Sequence, residues 1–169
     1  MLYTLAQVAI ALAGFSGVVV AFRVQGAHAW SPTELRVLWL LLGGSFLVLF
    51  FSLLPLPLAL ANWPADAIWG LGSALLGSWF IAGNLLALRG DRLDRARGQL
   101  VTVPVISPIL YGVIILAFVV GLALWLSVFN LVVPRGQAVY VLGLITLLAF
   151  ASVEFLFFIG LLSRPGREL

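Results

Sequence analysis

Residues 139–162 read VYVLGLITLLAFASVEFLFFIGLL. A helix needs about 20 apolar residues to cross a hydrocarbon core about 30 Å thick. This run is long enough, and Glu154 is its one charged residue. Lipid cannot satisfy free backbone N–H and C=O groups, so the run is a helix and not a strand. Four further runs of the same kind lie upstream, over about 3–22, 35–61, 67–88 and 109–133. The expected fold is therefore all-α: a single transmembrane domain over 1–169, with five spanning helices and no soluble domain attached.

Composition agrees. The chain of 169 residues is 63% hydrophobic and 9% charged, whereas soluble domains carry about 25% charge. Nine arginines face six acids, for a net charge of +3, and lysine and cysteine are absent. No lysine means no Schiff base and no phosphate-binding lysine. No cysteine means no disulfide, thiolate nucleophile or cysteine metal site. A lone histidine, His28, supplies neither a bis-histidine haem nor a zinc triad. The usual catalytic sets are missing, so no enzyme activity, metal or cofactor is expected. Nothing beyond arginines argues for nucleic acid.

The first run includes "ALA" at 11–13, which looks like a signal-peptide cleavage site. There is no positive stretch before it, and the apolar run continues to Phe22. It reads as a spanning helix. The second helix opens on "SPTE" at 31–34, a serine cap, a proline and Glu34 three residues on. This capping box places its start near Pro32. The same helix carries "LLPLPLALANW" at 53–63. Pro55 and Pro57 lack N–H donors and should kink it near 51–54. The kink is either a packing feature or a gate lined by freed carbonyls.

Arginines orient the bundle. Arg23 and Arg36 flank the first loop, Arg89, Arg92, Arg95 and Arg97 the third, and Arg164 and Arg167 the tail. The other side has Arg135 alone. The positive-inside rule puts the N-terminus outside and the C-terminus in the cytoplasm. Trp63, Trp69, Tyr3 and Tyr140 then mark the outer interface, and Trp30, Trp39 and Tyr111 the inner one. Asp91–Arg95 and Asp94–Arg97 suit a short salt-bridged helical turn. The four arginines of that loop either bind anionic lipid headgroups or only set topology. The following "QLVTVPVISP", 99–108, has no helical period and is expected along the interface.

Glu154 is the residue with chemistry. It lies nine positions before Ser163, about 13 Å along a helix rising 1.5 Å per residue. An acid at that depth costs roughly 2.5–3.5 kcal/mol on insertion scales. No arginine falls inside a span. Ser16, Ser45 and Ser78 lie seven, nine and eleven residues from Arg23, Arg36 and Arg89, at a similar depth. Glu154 and the serines form either part of a cation or proton pathway, or a hydrogen-bonded layer that glues helices together. Asn84, Asn130 and Gln7 are shallower, within reach of water or headgroups. His28 reads as a solvated loop residue.

Small residues recur every fourth position at Ala9, Ala13, Gly17 and Ala21, and at Gly70, Ala74, Ser78 and Ala82, with a shorter pair at Ala117 and Gly121. Such ladders let helices approach closely, within one subunit or between subunits. "GFSG" at 14–17 is similar to the Gly-x-Ser-Gly of rhomboid intramembrane proteases. That family pairs its serine with a histidine on another spanning helix; here His28 follows the same helix. A close helix crossing accounts better for the glycines.

"LAQVAIALAGFSGVVVAFR" at 5–23, "WSPTELRVLWLL" at 30–41 and "LLPLPLAL" at 53–60 resemble a group of small uncharacterised bacterial membrane proteins. The resemblance covers roughly the first third. It implies a helical bundle in a bacterial inner membrane and no particular activity. Two functions remain: a small homo-oligomeric channel or transporter with Glu154 in or near the pathway, or a non-catalytic accessory subunit of a larger membrane complex.

Overall fold

A computed structural model describes residues 1–24, 32–96, 106–132 and 134–162. These form α1 (Leu2–Val24), α2 (Pro32–Leu53), α3 (Pro55–Leu60), α4 (Ala65–Ala96), α5 (Ile106–Val128) and α6 (Gln137–Leu162), with no strand among the described residues. Five stretches are long and apolar enough to span a membrane: Leu2–Ala21, Val37–Leu60, Ala65–Leu86, Tyr111–Val128 and Gln137–Gly160. The second combines α2 and α3. Ser31, His28, Trp30, Arg97, Arg164 and Arg167 lie outside the described residues.

α2 starts at Pro32, as the capping box requires. It stops at Leu53, and α3 begins at Pro55. The Leu54 N–H still reaches the Phe50 carbonyl at 2.9 Å, but Pro55 and Pro57 have no N–H to continue the ladder. α4 is longer than its apolar run and carries its helix through Arg89, Arg92 and Arg95 to Ala96. α5 begins at Ile106, inside the stretch expected to lie along the interface. Pro108 is tolerated there because the first turn of a helix has no N–H partners to lose.

α5 also ends early, at Val128 and not at Val133. Asn130 adopts a left-handed conformation, φ 53°. The Leu131 N–H donates to Leu126 O at 3.1 Å and the Asn130 N–H to Ser127 O at 3.1 Å. This is a Schellman cap with asparagine in place of glycine. α3 ends the same way: Asn62 has φ 57°, and Trp63 and Asn62 donate to Leu58 O and Ala59 O at 3.1 and 3.0 Å. Asparagine tolerates the left-handed region because its short polar side chain finds local hydrogen bonds.

The α5–α6 connection is tied down further. The Arg135 N–H donates to Asn130 Oδ1 at 3.0 Å, and its Nη2 donates to the Val128 carbonyl. The Ser127 hydroxyl points to Pro134 O at 3.4 Å. A guanidinium on a terminal carbonyl satisfies an orphan acceptor and complements the negative end of the helix dipole. Arg135→Gln should therefore lower the unfolding midpoint in detergent by about 1 kcal/mol of stability, with Arg135→Lys recovering only the charge term.

The chain forms two compact units. One comprises Met1–Leu54 and Leu144–Leu169, the other Pro55–Gly143. In the first, α1 packs along α2. Leu38 and Leu41 of α2 meet Ala151 and Phe158 of α6, with Leu12, Val19 and Val20 of α1 against them. In the second, α4 packs along α5. Its closest approach is at Gly77 and Gly121. A Cβ on Gly77 would lie 3.1 Å from Gly121 O and Leu124 Cβ, and one on Gly121 3.1 Å from Phe80 Cβ. Tyr140, at the start of α6, is fully buried against Gly72 and beside Trp69, ring centroids 5.7 Å apart. It is a core residue of this unit.

The small-residue ladders split. Ala117 and Gly121 are buried at the α4–α5 contact as their spacing suggests. On α4 the tight positions are Gly72 and Gly77, not the row Gly70, Ala74, Ser78 and Ala82; Gly70 instead lies under the Arg135 side chain. On α1, Ala9 is buried, but Gly17 and Ala21 are exposed. A Cβ on Gly14 or Gly17 would meet nothing within 4 Å, so the close crossing expected at "GFSG" is absent among the described residues.

Candidate functional site

The site is built around Glu154, within the first unit. α2 is uninterrupted from Pro32 to Leu53 and α6 from Gln137 to Leu162. They approach at Gly44, while its neighbour Gly43 meets nothing within 4 Å. A Cβ on Gly44 would sit 3.5 Å from Ala151 Cβ and 3.8 Å from Glu154 Oε2. Ala151 lies one turn before Glu154, and both face the same glycine across an ordinary van der Waals gap. Leu41 and Phe158, each fully buried, belong to the same apolar cluster as Ala151. Glu154 is half-buried, and no described residue forms a hydrogen bond or ion pair with it.

Ser45 follows Gly44 directly. It is 1% exposed, and its hydroxyl has no hydrogen-bond partner. A buried hydroxyl without a partner forfeits about 1–3 kcal/mol. Ser16, fully buried on α1, donates to its own Leu12 carbonyl at 2.7 Å. Ser152 does likewise to Leu148 O at 2.9 Å. These internal bonds are the ordinary recourse of serine in an apolar helix; Ser45 does not use it. Ser16, Ser45 and Glu154 thus belong to one unit, with Gly44 bringing the α2 backbone to the carboxyl. Ser78 lies on α4 in the other unit and is half-buried. Ser52, also in the first unit, and Ser73, in the second, are further buried serines with unpartnered hydroxyls.

Gly44 has no counterpart among the site residues expected from spacing. Its signal was present in "LLLGGSFL", 40–47: two glycines and a serine amid large side chains mark a close backbone approach. The other polar residues are more ordinary. Asn84 donates to Phe80 O of its own helix. Gln7 and Asn130 are exposed, the latter occupied in capping. Arg89 is exposed on α4. No group of three or more His, Cys, Asp or Glu that could hold a metal exists among the described residues.

No family model, curated protein or solved structure matches this chain.

Proposed function

We propose that the chain is a subunit of a small homo-oligomeric channel or transporter, with Glu154 in or beside the pathway. The observation that carries this is the Glu154–Gly44 contact with its unpartnered neighbour Ser45. A carboxyl that glued helices would be held by serine hydroxyls, since its cost at the centre of a span is offset only by such bonds. Ser16 is instead bonded to Leu12, and Ser45 to nothing. An ionisable group kept inside a span without a fixed partner fits one that exchanges its partner during a cycle.

In this reading the protein sits in a bacterial inner membrane, N-terminus outside and C-terminus cytoplasmic, as the arginine bias requires. Arg89, Arg92, Arg95 and Arg97 then lie at the cytoplasmic headgroups and hold anionic lipid. Five helices enclose little space, so several copies form the pathway.

Two measurements test it. The detergent-solubilised protein should have the mass of a defined homo-oligomer. Reconstituted vesicles should carry an ionic current that Glu154→Gln abolishes while the elution profile is unchanged. A current indifferent to Glu154→Gln removes the carboxyl from the pathway. Absence of any current, with co-purification of unrelated chains, makes the protein an accessory subunit.

A further inference from the structure

We propose that the second unit carries a binding site for a zwitterionic phosphate headgroup of the ethanolamine type, with Arg135 holding the phosphate and Asp66 the ammonium. The site belongs to a different unit from Glu154 and does not rest on the pathway reading. Arg135 is exposed, yet its guanidinium is held in place. Its Nη2 donates to the Val128 carbonyl, and its backbone N–H to Asn130 Oδ1 at 3.0 Å. Its side chain crosses α4 at Gly70. A Cβ there would lie 3.5 Å from Arg135 Cδ and Nε and 3.7 Å from Cζ. A guanidinium presents several N–H groups in one rigid plane, and the bond to Val128 uses one of them. The others remain for a ligand, in the fork that suits two oxygens of a phosphate. The bond from Arg135 to Asn130 uses only Oδ1, so Asn130 Nδ2 is a further donor on the same connection.

Asp66 stands one turn from that crossing. It occupies the first turn of α4, four residues before Gly70. Residues four apart are neighbours on a helix surface, with Cβ atoms about 5–6 Å apart. Asp66 is exposed, and no described residue forms a hydrogen bond or ion pair with its carboxyl. An aspartate in a first turn also suits the helix dipole, which leaves its oxygens open to a ligand. The two opposite charges thus share one face of α4 without closing on each other. A ligand that spans them is negative at one end and positive at the other. A phosphodiester with a primary ammonium two carbons away meets that requirement. Its N–H groups donate to a carboxylate, which only accepts; a quaternary ammonium has no N–H to give. A headgroup with a neutral or anionic far end leaves Asp66 unpaired beside a phosphate, where like charges repel.

The surroundings select a lipid as the carrier of that headgroup. Phe129, Leu131 and Val132, on the connection that holds Arg135, are exposed, and so are Leu60 and Trp63, which precede α4. Acyl chains can lie against such side chains while the headgroup reaches the two charges. The depth agrees. The candidate span Ala65–Leu86 begins one residue before Asp66, and Gln137–Gly160 begins two residues after Arg135. Both charges therefore stand where a span meets the headgroups. Tryptophan is enriched at that level, and Trp63 is three residues from Asp66.

The test counts lipids retained by the full chain in native mass spectra, after titration in detergent with short-chain phosphatidylethanolamine, phosphatidylcholine and phosphatidylglycerol. The unaltered chain should retain phosphatidylethanolamine several-fold better than phosphatidylcholine. Other arginines attract anionic lipid as well, so for phosphatidylglycerol the quantity read is the change on substitution. Asp66→Asn removes a carboxylate that has no partner, so the elution profile should be unchanged. It should lower retention of phosphatidylethanolamine several-fold and raise that of phosphatidylglycerol. Asp66→Glu should recover the original order. Arg135→Lys, which keeps the charge and loses the fork, should weaken retention of phosphatidylethanolamine. Glycerophosphoethanolamine, the same headgroup without acyl chains, separates the sources. Displacement of the lipid at matched concentration gives the site to any such phosphodiester, and failure to displace it gives the site to membrane lipid. Retention of phosphatidylethanolamine that Asp66→Asn leaves unchanged overturns the inference. Equal retention of phosphatidylethanolamine and phosphatidylcholine by the unaltered chain overturns it too.

Discussion

Gly77→Val will separate α4 from α5. The Cβ alone would stand 3.1 Å from Gly121 O, Leu124 Cβ and Trp125 Cδ1. Two of these atoms have no freedom to withdraw: one is backbone, and the other is the first side-chain atom of a fully buried leucine. The reciprocal contact is as tight, with Gly121 facing Phe80, Ile81 and Gly77 O. Overpacking a filled contact costs about 1–3 kcal/mol, and the backbone member puts this site at the upper end. An SDS titration in mixed micelles should show the transition displaced to lower detergent fraction. Gly44→Ala is the control. Its nearest contacts would be 3.5 and 3.8 Å, ordinary van der Waals distances, so its transition should stay in place. Equal behaviour of the two variants would mean that Gly77 is not the crossing point.

Gly72→Ala should be nearly as damaging, and partly curable. The added methyl would lie 2.8 Å from Tyr140 Cε2 and 3.1 Å from Cζ. The ring is fully buried and has Trp69 beside it at 5.7 Å, so it has nowhere to swing. We expect a loss of about 1–3 kcal/mol. Tyr140→Leu alone leaves a cavity and also destabilises, by about 3 kcal/mol on the scale of large-to-small core changes. The double variant should be better than the sum of the two by about 1 kcal/mol, because the methyl then fills space that the ring vacated. Strict additivity in that cycle would show that the methyl and the ring do not meet.

Much of the fold was legible in the sequence. Length and apolarity of the runs mark the five candidate spans, because the requirement to cross about 30 Å of hydrocarbon leaves few ways to read them. Pro32 and Pro55 mark helix starts, and Pro57 stands in the first turn of α3, since proline lacks an N–H wherever it stands. Glu154 is conspicuous because a charge in oil is costly. The early end of α5 before Asn130 and its start at Ile106 were not legible. Leu131, Val132 and Val133 continue the apolar run past the true end, so hydropathy sees no stop there. The stop is made by a backbone conformation at Asn130 and by the hydrogen bonds around it and Arg135.

The inner face of each helix is the other thing sequence left open. In water, the buried face is apolar and the exposed one polar, and a period follows. Here both faces are apolar. Ile115, Val119 and Leu122 of α5 are more than half exposed, while Ala117, Gly121 and Leu124 on the other side are buried. Hydrophobicity does not distinguish the two rows. What does is size and fit: backbones meet where side chains are smallest, and whether a given glycine is such a place depends on what the neighbouring helix presents. Gly14 and Gly17 meet nothing, whereas Gly44, Gly72, Gly77 and Gly121 meet a partner. Composition and spacing by themselves determined a membrane-spanning helical chain with one acid deep in its last span. Only the tertiary structure decided that this acid rests against Gly44, because that depends on which bare stretch of backbone another helix brings to it.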